Sequence, residues 1–352
     1  MSAAWARRSA TVLRWAVGLA VLGLVLSWAD VASIGTRLAA VDRQLAGIGV
    51  IGLVAVHLIG TIAWRRLTER LAGVRLEWRA AVRLYYAAQA FGALTPANLG
   101  SDLYRIAALD PNVGRGRIAL PILAQRVTSV AALVVLGGLG ALALPIAGLA
   151  WFGIALLGGI ALLGAVVALG SSSFVQAARL TRMRGVIRGL ARRIGLDSAE
   201  LATRQARWSA LRDGFGLGLL FHAVALLLGL LLVAAVDPTS VARPGVVLAA
   251  LAVARMSLAV PLSPGGIGIQ EGVLALLFVQ LGLTPEAAVA ATLLNRFALL
   301  ATAAIGSVAI LGGSRAGGLR PARADSSRLG PGRSDGRRLA KAVETLRAGR
   351  PM

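Results

Sequence analysis

Apolar residues fall into runs at 12–28, 45–63, 84–108, 118–144, 150–170, 213–236, 245–283 and 286–312, separated by short polar segments rich in Arg. A helix that crosses a bilayer needs about 20 predominantly apolar residues, and these runs match that length. Two of them are interrupted. The run 84–108 contains Thr95-Pro96-Ala97-Asn98-Leu99-Gly100-Ser101-Asp102, and the run 245–283 contains Ser263-Pro264-Gly265-Gly266-Ile267-Gly268-Ile269-Gln270-Glu271. Proline removes a backbone donor, and glycine admits positive φ and the close approach of other groups. Pro96 and Gly100 therefore mark a break in the first run, and Pro261, Pro264, Gly265, Gly266 and Gly268 a break in the second. Each interrupted run is expected to form a helical hairpin.

Composition agrees with the pattern. The 352 residues are 57% hydrophobic and 15% charged, with a mean hydropathy of +0.77, which excludes an ordinary soluble domain. The expectation is an all-α polytopic membrane protein with about eight crossings, counting the two broken hairpins. The first run follows Arg7 and Arg8 as a secretory signal would, but its length and the spans after it favour an uncleaved helix.

The net charge of +22 could point to nucleic acid, until the positive residues are placed on the topology. With the N-terminus cytoplasmic, only Arg37, Arg43 and Arg243 fall outside, while Arg105, Arg126, Arg255 and Arg296 lie within apolar runs. The remaining Lys and Arg collect on the cytoplasmic side, as the positive-inside rule requires. On this topology the first hairpin starts from the cytoplasm and the second from outside. The two halves form an inverted repeat, an arrangement used by transporters that bind cargo at broken helices.

The domain boundaries follow. Residues 1–11 are a cytoplasmic N-terminus, 12–312 the transmembrane domain and 313–352 a disordered basic cytoplasmic tail, too poor in apolar residues to build a core. Within the domain, 171–212 is a cytoplasmic loop. Leu180, Met183, Ile187, Leu190 and Ile194 recur there at helical spacing among Arg182, Arg184, Arg188, Arg192 and Arg193, as in a basic amphipathic helix lying on anionic headgroups. The tail lacks aromatic residues for stacking on bases, so no specific nucleic-acid partner is expected. Other glycines, such as Gly137, Gly138 and Gly140, are read as helix-packing residues.

The chemistry rests on intramembrane charge. A charged side chain at the centre of a span costs about 2.5–3.5 kcal/mol on insertion scales, so such residues need partners. Asp102 is followed by Gln125-Arg126, and Glu271 by Asn295-Arg296 at nearly the same spacing. Each carboxylate is expected to face an Arg, within its repeat or across the pseudo-two-fold, around a polar cavity. Guanidinium matches phosphate oxygens bidentately. The candidate substrate-binding residues are accordingly Asp102, Arg126, Glu271, Arg296, Asn295 and Arg255; the competing reading is a set of structural ion pairs that fix helix register. Arg105 is expected to snorkel to the cytoplasmic interface. His57 and His222 are expected to be hydrogen-bonded polar residues. No cysteine is present, so disulfides and thiolate sites are excluded, and neither a metal nor any other cofactor is expected.

The phrases from Pro96 to Arg105 and from Pro261 to Gly272, with Asn295-Arg296 downstream, resemble the membrane region of the lysylphosphatidylglycerol synthase family, also called the flippase-like integral membrane group. The resemblance covers roughly residues 10–312, and the second phrase is its most specific part. It implies a multi-pass protein of the inner or plasma membrane, both termini cytoplasmic, that binds and translocates a phospholipid or lipid-linked headgroup between leaflets. An anionic phospholipid or lipid-linked headgroup is the expected partner. A soluble domain performs aminoacyl transfer in the lipid-synthesising relatives, and no such domain is recognisable after Leu311, so synthase activity is not expected. The alternative is a non-transporting membrane subunit that recruits a separate lipid-modifying or glycosyl-transferring enzyme.

The topology is testable in this cysteine-free background. Single cysteines at Arg37, Ala147 and Ser240 should react with an impermeant thiol reagent added to intact cells, whereas Leu190→Cys should not. Labelling at position 190 from outside would overturn the orientation.

Overall fold

The computed structural model describes residues 3–109, 115–169, 204–259 and 262–315. The amphipathic segment expected at 178–195, Pro261 and nearly all of the tail lie outside the described residues. The described chain is helical: α1 Ala3–Trp28, α2 Val31–Ala39, α3 Arg43–Ala55, α4 His57–Ala72, α5 Trp78–Ala93, α6 Leu99–Ala108, α7 Arg115–Ala143, α8 Leu149–Leu169, α9 Arg204–Val236, α10 Pro244–Met256, α11 Ile269–Gln280 and α12 Pro285–Arg315. Among the described residues the nearest approach to a strand is an isolated antiparallel bridge between Pro96 and Pro264.

Local chemistry sets the starts of the early helices. Asp30 caps α2 by accepting from the Ser33 N–H at 2.9 Å, and Asp42 caps α3 by accepting from the Gln44 and Leu45 N–H groups at 2.9 and 3.0 Å. The short helix α2 was not anticipated from the apolar runs; it turns 83° from the preceding helix. Gly73, at φ 68°, ends α4 in the left-handed conformation that glycine adopts without a Cβ clash.

Among the described residues four helical segments are long and apolar enough to cross a membrane, Arg43–Ala72, Ile118–Ala143, Trp208–Val236 and Pro285–Leu311; the bent pair α1 and α2 passes as a fifth if counted as one. With its exposed apolar side chains on α1, α7 and α12, among them Leu13, Val127 and Val308, the chain is a multi-pass helical membrane protein. The interrupted runs behave differently. Their halves, α5 with α6 and α10 with α11, have 16, 10, 13 and 12 residues. That is about 15–24 Å of helix at 1.5 Å per residue, short of the ~30 Å hydrocarbon thickness. Each hairpin therefore turns within that thickness, and the antiparallel bridge brings both turns to one place.

The core lies where α9, α10, α11 and α12 meet. Phe278 is fully buried, and the consecutive residues Ala287 to Ala291 are all buried, so α12 is enclosed on every side at this level rather than along one stripe. Small residues permit the approach. A Cβ on Gly140 would meet the Ala249 backbone of α10, one on Gly138 would meet Leu157 of α8, and one on Gly306 would stand 2.1 Å from the carbonyl oxygen of Tyr86 on α5. Gly137, Gly138 and Gly140 thus serve the packing expected of them.

This packing yields a stability prediction. Gly306→Ala must displace backbone and should destabilise the protein by about 1–3 kcal/mol, read as a lowered thermal unfolding midpoint in detergent. Gly23→Ala, where a Cβ meets nothing within 4 Å, should leave the midpoint unchanged or raise it.

Candidate functional site

The first break is made by residues other than glycine. Ala97 and Asn98 have φ of 49° and 60°, an uncommon pair of left-handed residues costing about 1–2 kcal/mol each. Gly100, expected to be part of the break, is helical in α6. Its role is contact: a Cβ there would come within 2.4 Å of the Phe91 carbonyl oxygen. Thr95 stabilises the turn by accepting the Gly100 N–H at 2.7 Å on its hydroxyl. The strained turn is also held from outside, because Arg126 of α7 donates through Nη2 to the Ala97 carbonyl and through Nη1 to Asp102.

The second break repeats the construction. Gly265 and Gly266 take φ of 56° and 72° at the two positions after the proline, matching Ala97 and Asn98. Arg296 of α12 donates through Nη1 to the Gly265 carbonyl at 2.8 Å and through Nε to Glu271. Gly268 adds a further left-handed residue at φ 80°, and its N–H donates to Glu271 Oε2 at 2.7 Å. The position is sterically closed, since Gly268 and Gly18 of α1 are in backbone contact. Across the pseudo-symmetry the Gly265 N–H donates to the Thr95 carbonyl at 3.2 Å.

Each Arg thus ties its own repeat's carboxylate to the carbonyl one residue past the proline. The repeats differ behind that motif. Arg105 donates through Nη2 to Asp102 and through Nη1 to Gln125, both at 2.7 Å, and Gln125 in turn donates to the Gly60 carbonyl at 2.8 Å. Its guanidinium carbon lies 5.3 and 5.2 Å from the ring centres of Trp64 and Tyr85, a cation–π environment. Arg105 is only 5% exposed. The expected snorkelling is therefore wrong: an aspartate one helical turn earlier and two aromatic faces hold the side chain inside. Asp102 has two guanidinium partners, whereas Glu271 has one guanidinium and a backbone N–H.

Both breaks open on a cavity of about 300 Å³, lined among others by Asp102, Arg105, Arg126, Arg255, Asn295 and Arg296. Five of the six sequence-proposed residues are on this wall. Glu271 is not; it is 3% exposed and stands behind Arg296. The wall also carries His57, Ser129 and His222. His57 Nδ1 is 3.1 Å from the Leu53 carbonyl oxygen, and His222 Nε2 is 3.1 Å from Ser129 Oγ, so both histidines are hydrogen-bonded. Phe221 lies between them, with ring centres 5.6 and 5.1 Å away.

Sequence reasoning missed the place of Arg105, His57 and His222 in this site. A signal existed in each case: Arg105 is three residues after Asp102 on a helix, and an ionisable residue inside an apolar run is a site candidate by default. Nothing in the sequence marks Trp64, Tyr85 or Ser129. No group of three metal-binding side chains occurs among the described residues.

A family model described as the lysylphosphatidylglycerol synthase TM region matches residues 15–306. No curated protein and no solved structure matches the chain at a significant level.

The unequal support of the two carboxylates is measurable. Arg126→Ala leaves Asp102 paired with Arg105, but Arg296→Ala leaves Glu271 without a counter-charge in a buried position, a loss of about 3–5 kcal/mol. Arg296→Ala should therefore lower the thermal unfolding midpoint in detergent distinctly more than Arg126→Ala. Adding Glu271→Gln to Arg296→Ala should recover a large part of the difference, and equal midpoints for the two single variants would refute the asymmetry.

Proposed function

Because the chain belongs to the lysylphosphatidylglycerol synthase transmembrane-region family, we propose that this membrane protein binds the headgroup of a phospholipid or lipid-linked compound in the cavity between its two breaks and moves it between leaflets. One observation carries the reading: two oppositely running breaks share a polar cavity with guanidiniums on its wall. Broken helices are tolerated at membrane depth where they line such a cavity, and paired breaks are the usual cargo site of transporters built from inverted repeats.

The division of labour follows from the contacts. Arg126 and Arg296 hold the breaks together and present their remaining surface to the cavity, where a phosphate can accept from them. Asp102 and Glu271 limit the positive charge of the empty site. Both are engaged by guanidiniums, which supports a structural and charge-balancing role for them in a site that we read as binding and releasing lipid. Alternating access would work at the joint between the breaks, where the Gly265 N–H meets the Thr95 carbonyl. We read the chain as a protein of the inner or plasma membrane with both termini cytoplasmic; the positive-inside rule applied to its loop and tail arginines supports this.

Reconstitution decides between movement and mere anchoring. Liposomes containing the purified protein and a headgroup-labelled phospholipid should lose the protection of their inner-leaflet label faster than protein-free liposomes when a membrane-impermeant quencher is added. The correctly folded Glu271→Gln variant, which loosens Arg296, should slow this by about tenfold or more, the scale of one charge-assisted hydrogen bond. Lipid binding without any movement would support the alternative of a membrane subunit that serves a separate enzyme.

A further inference from the structure

The cavity is not electrically balanced. Arg105, Arg126, Arg255 and Arg296 line it, and the carboxylates paired with them are Asp102 and Glu271. Asp102 is shared by Arg105 and Arg126. Arg255 has no ion-pair partner among the described residues, and its hydrogen bond to the Ala225 carbonyl is long at 3.4 Å. It lies in the last turn of α10, where the helix dipole offsets roughly half a charge at most. Two positive charges remain without a full counter-charge, which is costly in a partly dry site unless a ligand supplies it.

The unused hydrogen-bonding atoms point to the same ligand. Arg296 Nη2, Arg105 Nε, His222 Nδ1 and Ser101 Oγ are buried without partners, and the four residues that carry them border the cavity. The first two can only donate. When Ser129 donates to His222 Nε2, the imidazole proton sits on Nδ1, which becomes a donor as well. A ligand that satisfies this wall must present acceptors and about two negative charges. A phosphate monoester does both, carrying ≈ −1.5 to −2 charge near pH 7; a phosphodiester headgroup carries one negative charge, and a zwitterionic one none net.

Building on the headgroup-binding reading, we infer that the wall around Arg255 and His222 is a subsite for a terminal phosphate monoester, so that the preferred cargo is a lipid phosphate rather than a phosphodiester or zwitterionic lipid. Arg255 is the contacting group whose charge no carboxylate takes up, and it sets the preference for a monoester. Arg126 and Arg296, committed to their carboxylates and to the break carbonyls, set the outline of the site.

The test uses the full chain in detergent and a set of lipids with identical acyl chains: phosphatidate, phosphatidylglycerol and phosphatidylethanolamine. Affinities are read by native mass spectrometry and by ligand-dependent thermal shift. Phosphatidate should bind about tenfold or more tightly than phosphatidylglycerol. Arg255→Gln should reduce that preference to near unity while raising the unfolding midpoint of the lipid-free protein, because it removes an unpaired charge. Equal affinity of the wild type for the first two lipids would overturn the monoester assignment while leaving headgroup binding intact. Failure of every lipid to bind would remove the headgroup reading itself. A preference that survives in folded Arg255→Gln would overturn the subsite's location. Inorganic phosphate and glycerol 3-phosphate form the last arm: displacement of phosphatidate by either at equal concentration would assign the site to a soluble phosphate and overturn a lipid cargo.

Discussion

The organisation of this protein depends on one repeated interaction, a guanidinium that joins the carbonyl just past a helix-breaking proline to a carboxylate of the following helix. Arg126 does this for Ala97 and Asp102, and Arg296 for Gly265 and Glu271. A backbone carbonyl released from a helix has no water to turn to inside the bilayer, and a carboxylate there needs a counter-charge. One Arg answers both needs. The left-handed conformation of Ala97 and Asn98 is tolerable because the surroundings determine it from several directions.

Because the same groups that stabilise the breaks also form the cavity wall, structural and functional readings of these ion pairs need not compete. Glu271 illustrates the structural end, buried behind Arg296 and bonded to the Gly268 N–H. Arg255 illustrates the other, a cation on the wall with no carboxylate to hold it. Arg105 lies between, connecting Asp102, Gln125 and two aromatic rings into a support for the first break. The repeats thus share a motif without sharing its reinforcement, which makes one side of the site more rigidly supported than the other.

Two of the close contacts around the second break are backbone against backbone. Gly18 on α1 passes against Gly268, and Gly265 approaches the Ala93 carbonyl so closely that a Cβ would lie 2.5 Å from it. Such positions have no slack, so the breaks are held in register by sterics as well as by charge. Residues 15–306, matched as one family region, include most of α12, with the enclosed Ala287–Ala291 segment that leads directly to Asn295 and Arg296.

The sequence by itself determined the class of the fold, the positions of the breaks and the four charged partners Asp102, Arg126, Glu271 and Arg296. These are legible because apolar length, proline and intramembrane charge each carry a large local free-energy cost that the chain cannot hide. Tertiary structure alone decided which Arg meets which carboxylate, that Arg105 turns inward, that Gly100 serves packing instead of the turn, and that His57, His222 and Ser129 share the cavity. Those outcomes depend on approach between segments far apart in the chain, where a difference of a few ångströms selects one partner over another. No periodicity along a single segment records such distances.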